Sequence, residues 1–228
     1  MALIFPPECE VCRAVSSSPA CAALCERCEA SIRWIQPPFC AFCGRGTAGA
    51  GRCGQCADEN FHFDRVFACA YYEGPMKTLL HAYKFGGRKS LAAYFSDRLL
   101  RLIEAQALDQ RLDAVVSVPM DKGKEKARGF NQSRLIASRL ARRLGVPDLT
   151  GHLKRNTYNA PQALLDKKGR LVNVRGSFSA VSAAAFENKT VLLVDDIITT
   201  GQTVSECACA LKDAGAASVT ALACARGV

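Results

Sequence analysis

The densest group of side chains able to do chemistry lies near the C-terminal end, in Val191-Leu192-Leu193-Val194-Asp195-Asp196-Ile197-Ile198-Thr199-Thr200-Gly201-Gln202-Thr203. Carboxylates accept hydrogen bonds from sugar hydroxyls, and threonine hydroxyls around a glycine donate to phosphate oxygens. The four apolar residues read as a buried parallel strand, and Val204 to Leu211 reads as the helix that follows. Ligands of open α/β sheets sit outside the carboxyl ends of the strands, and the free N–H groups of a helix N-terminus favour an anion. The loop Ile198 to Thr203 is therefore placed to wrap a phosphate, with Thr199, Thr200 and Thr203 adding donors. Asp195 and Asp196 stand just before that loop, where a sugar would be in reach. A helix cap needs one such residue, not two acids and three threonines around a glycine.

A second chemistry occupies residues 1–60. Cys9-x-x-Cys12, Cys25-x-x-Cys28, Cys40-x-x-Cys43 and Cys53-x-x-Cys56 are four CxxC pairs in one short stretch. Thiolates three positions apart grip one face of a tetrahedral metal, and two pairs complete it. Two structural Zn²⁺ sites follow, the simplest arrangement being Cys9, Cys12, Cys25 and Cys28 in one and Cys40, Cys43, Cys53 and Cys56 in the other. An interleaved pairing is also open at this point, and Cys21 is a spare that could replace a ligand. Four sulfurs close a site to water, so the metal's work is to supply folding free energy that sixty residues with few large apolar side chains lack.

The elements that must position these groups can be read in order. Phe61 to Tyr72 is strand-like, Met76 to Lys84 helical, and Phe85-Gly86-Gly87-Arg88 a break. Ser90 to Ala107 is a long amphipathic helix. Asp113 to Val118 is a second buried strand, ending at Pro119-Met120. The following stretch, with Lys122, Lys124, Lys126 and Arg128, is too charged to pack and reads as a mobile loop able to close over an anion. Ser133 to Leu144 is a helix, and Ser218 to Cys224 a last strand. The architecture expected is an α/β parallel sheet flanked by helices (61–228), preceded by a small zinc-ribbon region (1–60).

Charge is uneven. Residues 1–60 carry a net of −1 and residues 61–228 a net of +10, with +7 in 121–155 alone. Such a field suits phosphorylated ligands or a nucleic-acid backbone. Arg134, Arg139, Arg142 and Arg143 on the helix 133–144 are the candidate nucleic-acid contacts; a solvated helix face is the competing reading. No apolar run is long enough to cross a bilayer, and Met1 to Cys12 has no basic leader. Both point to a cytoplasmic protein and away from a disulfide framework, despite thirteen cysteines.

The strand, acid pair and Thr-Thr-Gly-x-Thr loop resemble the phosphoribosyl pyrophosphate (PRPP) motif of type I phosphoribosyltransferases. The resemblance implies that Thr199 to Thr203 hold the 5-phosphate, with Ile198 beside them in the PRPP site, and that Asp195 and Asp196 hold the ribose 2- and 3-hydroxyls. It also implies a pyrophosphate contact at Pro119 and Lys122, and Mg²⁺ bridging the ligand's own oxygens. Lys84 could reach a phosphate, and Lys126 and Arg128 are the candidates for stabilising a leaving pyrophosphate. Arg128-Gly-Phe-Asn-Gln132, the spaced Arg155, Thr157, Gln162 and Leu165, and Arg170 with Asn173 narrow the likeness. With the four CxxC pairs they resemble the ComF family, including its ComFC and GntX-like members. That family implies handling of incoming single-stranded DNA in natural competence, with a helicase and other DNA-processing partners. The alternative it leaves is an active phosphoribosyltransferase whose acceptor the sequence does not name.

Overall fold

The computed structural model describes residues 8–15, 23–40, 42–49, 51–56, 59–156 and 176–227. Cys21 and the set from Thr157 to Asn173 lie outside the described residues. The spine is a parallel sheet of β1 (Arg65–Tyr71), β6 (Ser218–Arg226), β5 (Thr190–Ile198) and β2 (Ala114–Ser117), in that spatial order. Strands buried on both faces are apolar throughout, as in Val191–Val194 and Ala221–Ala225, all of them buried.

Alternation sorts the strand residues into two layers. Phe67, Cys69, Val115, Leu192, Val194, Leu222 and Cys224 face one layer. It is built from α2 (Gly74–Phe85), α3 (Leu91–Ala105) and α5 (Gln132–Leu144). Val66, Val116, Val191, Leu193, Val219 and Ala221 face the other. That layer holds α6 (Gln202–Asp213) and a hairpin of β3 (Leu153–Arg155) and β4 (Phe178–Ala180). The hairpin is an element the sequence reading did not separate.

The strand order reverses at one place. After β2, the chain runs through α5 and returns as a single parallel bridge, Val115 to Asp148, on the outer side of β2. It then comes back on the inner side of β2 as β5. The crevice beyond the C-terminal ends of β2 and β5 is therefore a topological switch point, the general ligand position of open α/β sheets.

Two local readings change. Residues 122–128 form a helix, α4 (Lys122–Arg128), in place of a mobile loop. Asp121 caps it by accepting from the Lys124 N–H at 3.0 Å, and Gly129 ends it at φ +77°. Seven residues closed at both ends by caps can form about two turns while leaving their charges in water. β5 also runs on through Asp195 and Asp196 to Ile198, so the acids belong to the strand's end and not to the loop after it.

The cysteine region is joined to this frame. Arg33 to Ile35 pairs antiparallel along the open edge of β1, with Ile35 N–H donating to Cys69 O at 2.9 Å and Tyr71 N–H to Arg33 O at 3.0 Å. Cys9, Leu24, Cys28 and Ile32 are buried in the same core layer as α2 and α3. Arg98 of α3 is ion-paired with Glu29 of α1 (Glu26–Ala30).

Candidate functional site

Asp195 and Asp196 are held before any ligand arrives. Asp196 shares the strand parity of Leu192 and Val194 and so turns toward the α2 layer, where Lys84 meets it at 2.9 Å. Both side chains are largely buried, at 17% and 9% exposure, so the pair is shielded from solvent. Lys84, read as a phosphate ligand, is thus placed on an acid of the site. Asp195 Oδ1 accepts from the Ser133 hydroxyl at 2.9 Å and from the Asp196 N–H at 2.8 Å. Ser133 was missed as a site residue. Its only sequence signal is its place in the first turn of a helix capped by Asn131, whose Oδ1 accepts from Arg134 N–H at 3.2 Å.

Burial, then the neighbouring Asp196 charge, push the Asp195 carboxyl up to about 7 from an ordinary 3.8. They outweigh the Asp196 N–H, the Ser133 hydroxyl and Lys84, which pull the other way. From about pH 4 to about pH 7 the native state keeps a proton that the unfolded chain has released. Stability from this group therefore falls as pH rises through that window. Asp195→Asn cannot ionise, so its melting temperature should gain on the wild type from about pH 4 to about pH 7 and then level off. A gap that stays flat with pH in thermal melts would contradict this.

The loop after β5 has the form of an anion cradle. Thr199 and Thr200 are exposed, Gly201 is buried at φ +86°, and α6 starts at Gln202. That φ is open to glycine and strained for other residues. Asp195, Ile198, Thr199, Thr200, Gly201 and Thr203 line a small concavity of about 40 Å³ there. The cradle is backed from outside. A side chain on Gly201 would meet the rings of Phe61 and Phe63 at 3.6 and 3.8 Å. Those rings stack on each other at 4.9 Å and meet Phe42 at a tilt at 5.5 Å. Phe42 sits between Cys40 and Cys43, so the second cysteine cluster stands behind the loop. His62 N–H donates to Ser205 of α6 at 3.0 Å, and Gly227 N–H to Ile198 O at 2.8 Å.

Across the crevice, Pro119, Asp121, Lys122, Asn131, Arg134 and Arg155 line a polar cavity of about 370 Å³. Lys126 is exposed on α4. Arg128 lies 4.7 Å over the Phe85 ring and donates to Gln132 Oε1 at 3.2 Å. Nearby in the chain, Ser117 Oγ and Gln132 Nε2 are buried without a hydrogen-bond partner among the described residues. The α5 arginines differ in their settings. Arg134 faces the polar cavity, Arg139 is half-buried, Arg142 is exposed, and Arg143 pairs with Asp97 of α3 at 3.2 Å.

The cysteines settle into the sequential pairing. In each of the sets Cys9, Cys12, Cys25, Cys28 and Cys40, Cys43, Cys53, Cys56, the ligand atoms lie within 4.8 Å of one another. Zn–S bonds of about 2.3 Å in a tetrahedron require sulfur–sulfur edges of about 3.8 Å. Cys12 to Cys25 is 3.7 Å and Cys43 to Cys53 is 3.8 Å. Cys40 Sγ also accepts N–H bonds from Cys43 and Cys53, at 3.5 and 3.2 Å. Burial pushes the Cys40 thiol up, but these donors and the Phe42 N–H outweigh it and bring it down to about 6. Cys9 is brought to about 6 in the same way by the N–H groups of Cys12, Cys25 and Val11. The donor sets fit structural zinc, and neither leaves an open position.

A parallel sheet with an acid pair and a threonine–glycine cradle at its switch point defines a phosphoribosyltransferase-type fold, here carrying a double zinc ribbon. Residues 131–227 match the model of the phosphoribosyl transferase domain, and residues 1–57 that of the double zinc ribbon domain. Competence protein F of Haemophilus influenzae is 31% identical over 202 residues, covering 84% of this chain and 85% of its own length. DNA utilization protein YhgH of Escherichia coli K12 is 31% identical over 200 residues, covering 86% and 87%. Competence protein ComFC of Bacillus subtilis is 27% identical over 204 residues, covering 86% and 81%. The chain belongs to the ComF family.

Proposed function

We propose that this protein binds Mg²⁺–PRPP at the crevice between β2 and β5 and acts in the handling of incoming single-stranded DNA during natural competence. The observation that carries the ligand is the fixed acid pair at the end of β5 beside the Thr199–Thr203 cradle. In this reading the cradle takes the 5-phosphate, with Ile198, Gly201 and Gln202 offering backbone. Asp195 and Asp196 accept from the ribose hydroxyls. Lys84 holds Asp196 in place, and Pro119 and Lys122 stand at the pyrophosphate end. Ser117 Oγ and Gln132 Nε2 are spare hydrogen-bonding groups next to these positions.

Mg²⁺ prefers phosphate oxygens and keeps several waters. With Asp196 engaged by Lys84 and Asp195 by Ser133, the acids fit it as partners through water, and its own contribution is to neutralise the pyrophosphate. The DNA part rests on the family and on the printed roles of its relatives, competence and DNA utilization. It carries with it a cytoplasmic location and a helicase or other DNA-processing partner. No described helix is long and apolar enough to cross a membrane. Residues 1–60 form the zinc-ribbon module and 61–228 the PRPP module.

Turnover is the second reading, favoured by the polar cavity next to the pyrophosphate end. There an acceptor's lone pair would attack the anomeric carbon while the bond to pyrophosphate breaks, and the acceptor's proton would pass to solvent or a carboxylate. Lys126 and Arg128 would stabilise the leaving group. The test follows pyrophosphate from PRPP with the zinc-loaded protein, alone, with single-stranded DNA and with candidate bases. Binding without release supports a PRPP-dependent DNA-handling factor. Release with one acceptor makes the protein an enzyme and identifies its substrate.

A further inference from the structure

A cleft of about 680 Å³ lies between the first cysteine knuckle and α2, outside the crevice described above. Its volume is in the range of ligand clefts, about 300–1,000 Å³. Its charged lining is Arg13, Lys77 and Arg88 against Glu10. Glu10 reaches Arg88 at 3.1 Å and Arg13 at 3.5 Å, so it holds two cations in place and leaves an excess of positive charge. Lys77 and His81 are exposed.

Beside these cations stands Phe85, 61% exposed, among the three exposed large hydrophobic side chains of the described residues. His81 packs against its ring at 4.9 Å and the Arg128 guanidinium lies over it at 4.7 Å. The ring sits at the end of α2, next to Lys84. An exposed aromatic ring flanked by cations along a groove is the arrangement that binds single strands. Bases stack on the ring, phosphates follow the cations, and sequence matters little. The α5 arginines lack both the ring and the continuity.

We propose that single-stranded DNA docks in this cleft, with a base on Phe85 and phosphates on Arg13, Lys77 and Arg88. The proposal rests on the DNA-handling reading above and adds a surface to it. Because Glu10 and Arg13 flank Cys12 and follow Cys9 in the chain, the first zinc site shapes one wall of the cleft.

The test is fluorescence anisotropy of a labelled oligothymidylate of about 20 nucleotides with the zinc-loaded full chain over a range of salt, PRPP binding being followed in parallel. Phe85→Ala should weaken DNA binding about tenfold. Lys77→Ala should lower the slope of log affinity against log salt by about 0.7, one phosphate contact. Both should keep PRPP binding, and Arg142→Ala should leave DNA binding within about twofold. Wild-type binding unaffected by Phe85→Ala and Lys77→Ala but lost in Arg142→Ala would overturn this surface and leave the DNA reading standing. A wild type that binds PRPP and no DNA removes both. Photocrosslinking with iododeoxyuridine on the native chain needs no variant. An adduct within residues 77–88 supports the cleft, and one confined to 134–143 overturns it.

Discussion

Asp196→Asn should weaken PRPP binding by at least about tenfold, because hydrogen bonds to a charged acceptor contribute about 1.5–3 kcal/mol. The same change should destabilise the ligand-free protein. Lys84 is 17% exposed and would lose its partner at 2.9 Å, and removing one member of a buried pair is far costlier than replacing both. The two effects separate in the double variant Lys84→Met/Asp196→Asn. It should recover most of the lost melting temperature and none of the lost affinity. Recovery of both would mean that Asp196 is needed only to neutralise Lys84, and that the ribose contact lies elsewhere.

Loss of the second zinc site should weaken PRPP binding at little cost to the global fold, and loss of the first should do the reverse. The cause is where each tetrad is anchored. Cys9 and Cys28 are buried in the main core with Leu79, Tyr83 and Phe95 of α2 and α3. Zinc there ties residues 8–15 and 23–32 to the helix layer. Cys40, Cys43 and Cys56 form a small cluster of their own with Phe42. It meets the rest of the molecule through Phe61 and Phe63, onto Gly201, and where Gly44 lies close against Val66 of β1. Without zinc the knuckle has few contacts to hold it, the rings lose their support, and the cradle loses its back wall. Cys56→Ser is expected to raise the PRPP dissociation constant at least about tenfold with a small change in the main melting transition, the converse holding for Cys28→Ser. Equal effects of both on PRPP affinity would contradict the separate anchoring.

Much of this arrangement is legible from local pattern. The apolar run before Asp195, the glycine at a turn that needs positive φ, and the CxxC spacing are all signals within a few residues. The pairings that organise the site are not local. Lys84 was read beside its glycine turn as a phosphate contact, and only the sheet brings it to Asp196, more than a hundred residues on. Ser133 reaches Asp195 across 62 residues. The zinc pairing stayed open because sequential and interleaved tetrads have identical spacing. It is read from the sulfurs, which lie within 4.8 Å of one another in each sequential set.

The helix α4 shows a different failure. Its charges argue against packing, while its capping residues, Asp121 and Gly129, specify the helix. A short solvent-facing helix needs ends more than it needs a core. The α5 arginines were grouped by sequence proximity. Helical rotation and the Asp97 partner disperse them.

The most direct test of the account is calorimetric titration of the zinc-loaded protein with PRPP in the presence of Mg²⁺, with Asp196→Asn alongside. Saturable binding of one PRPP per chain, Mg²⁺-dependent and weakened at least about tenfold in the variant, is the expected result. A folded, zinc-loaded protein that takes up no PRPP at millimolar ligand, or that binds it equally well without Asp196, would contradict the assignment of the β5 crevice as the PRPP site.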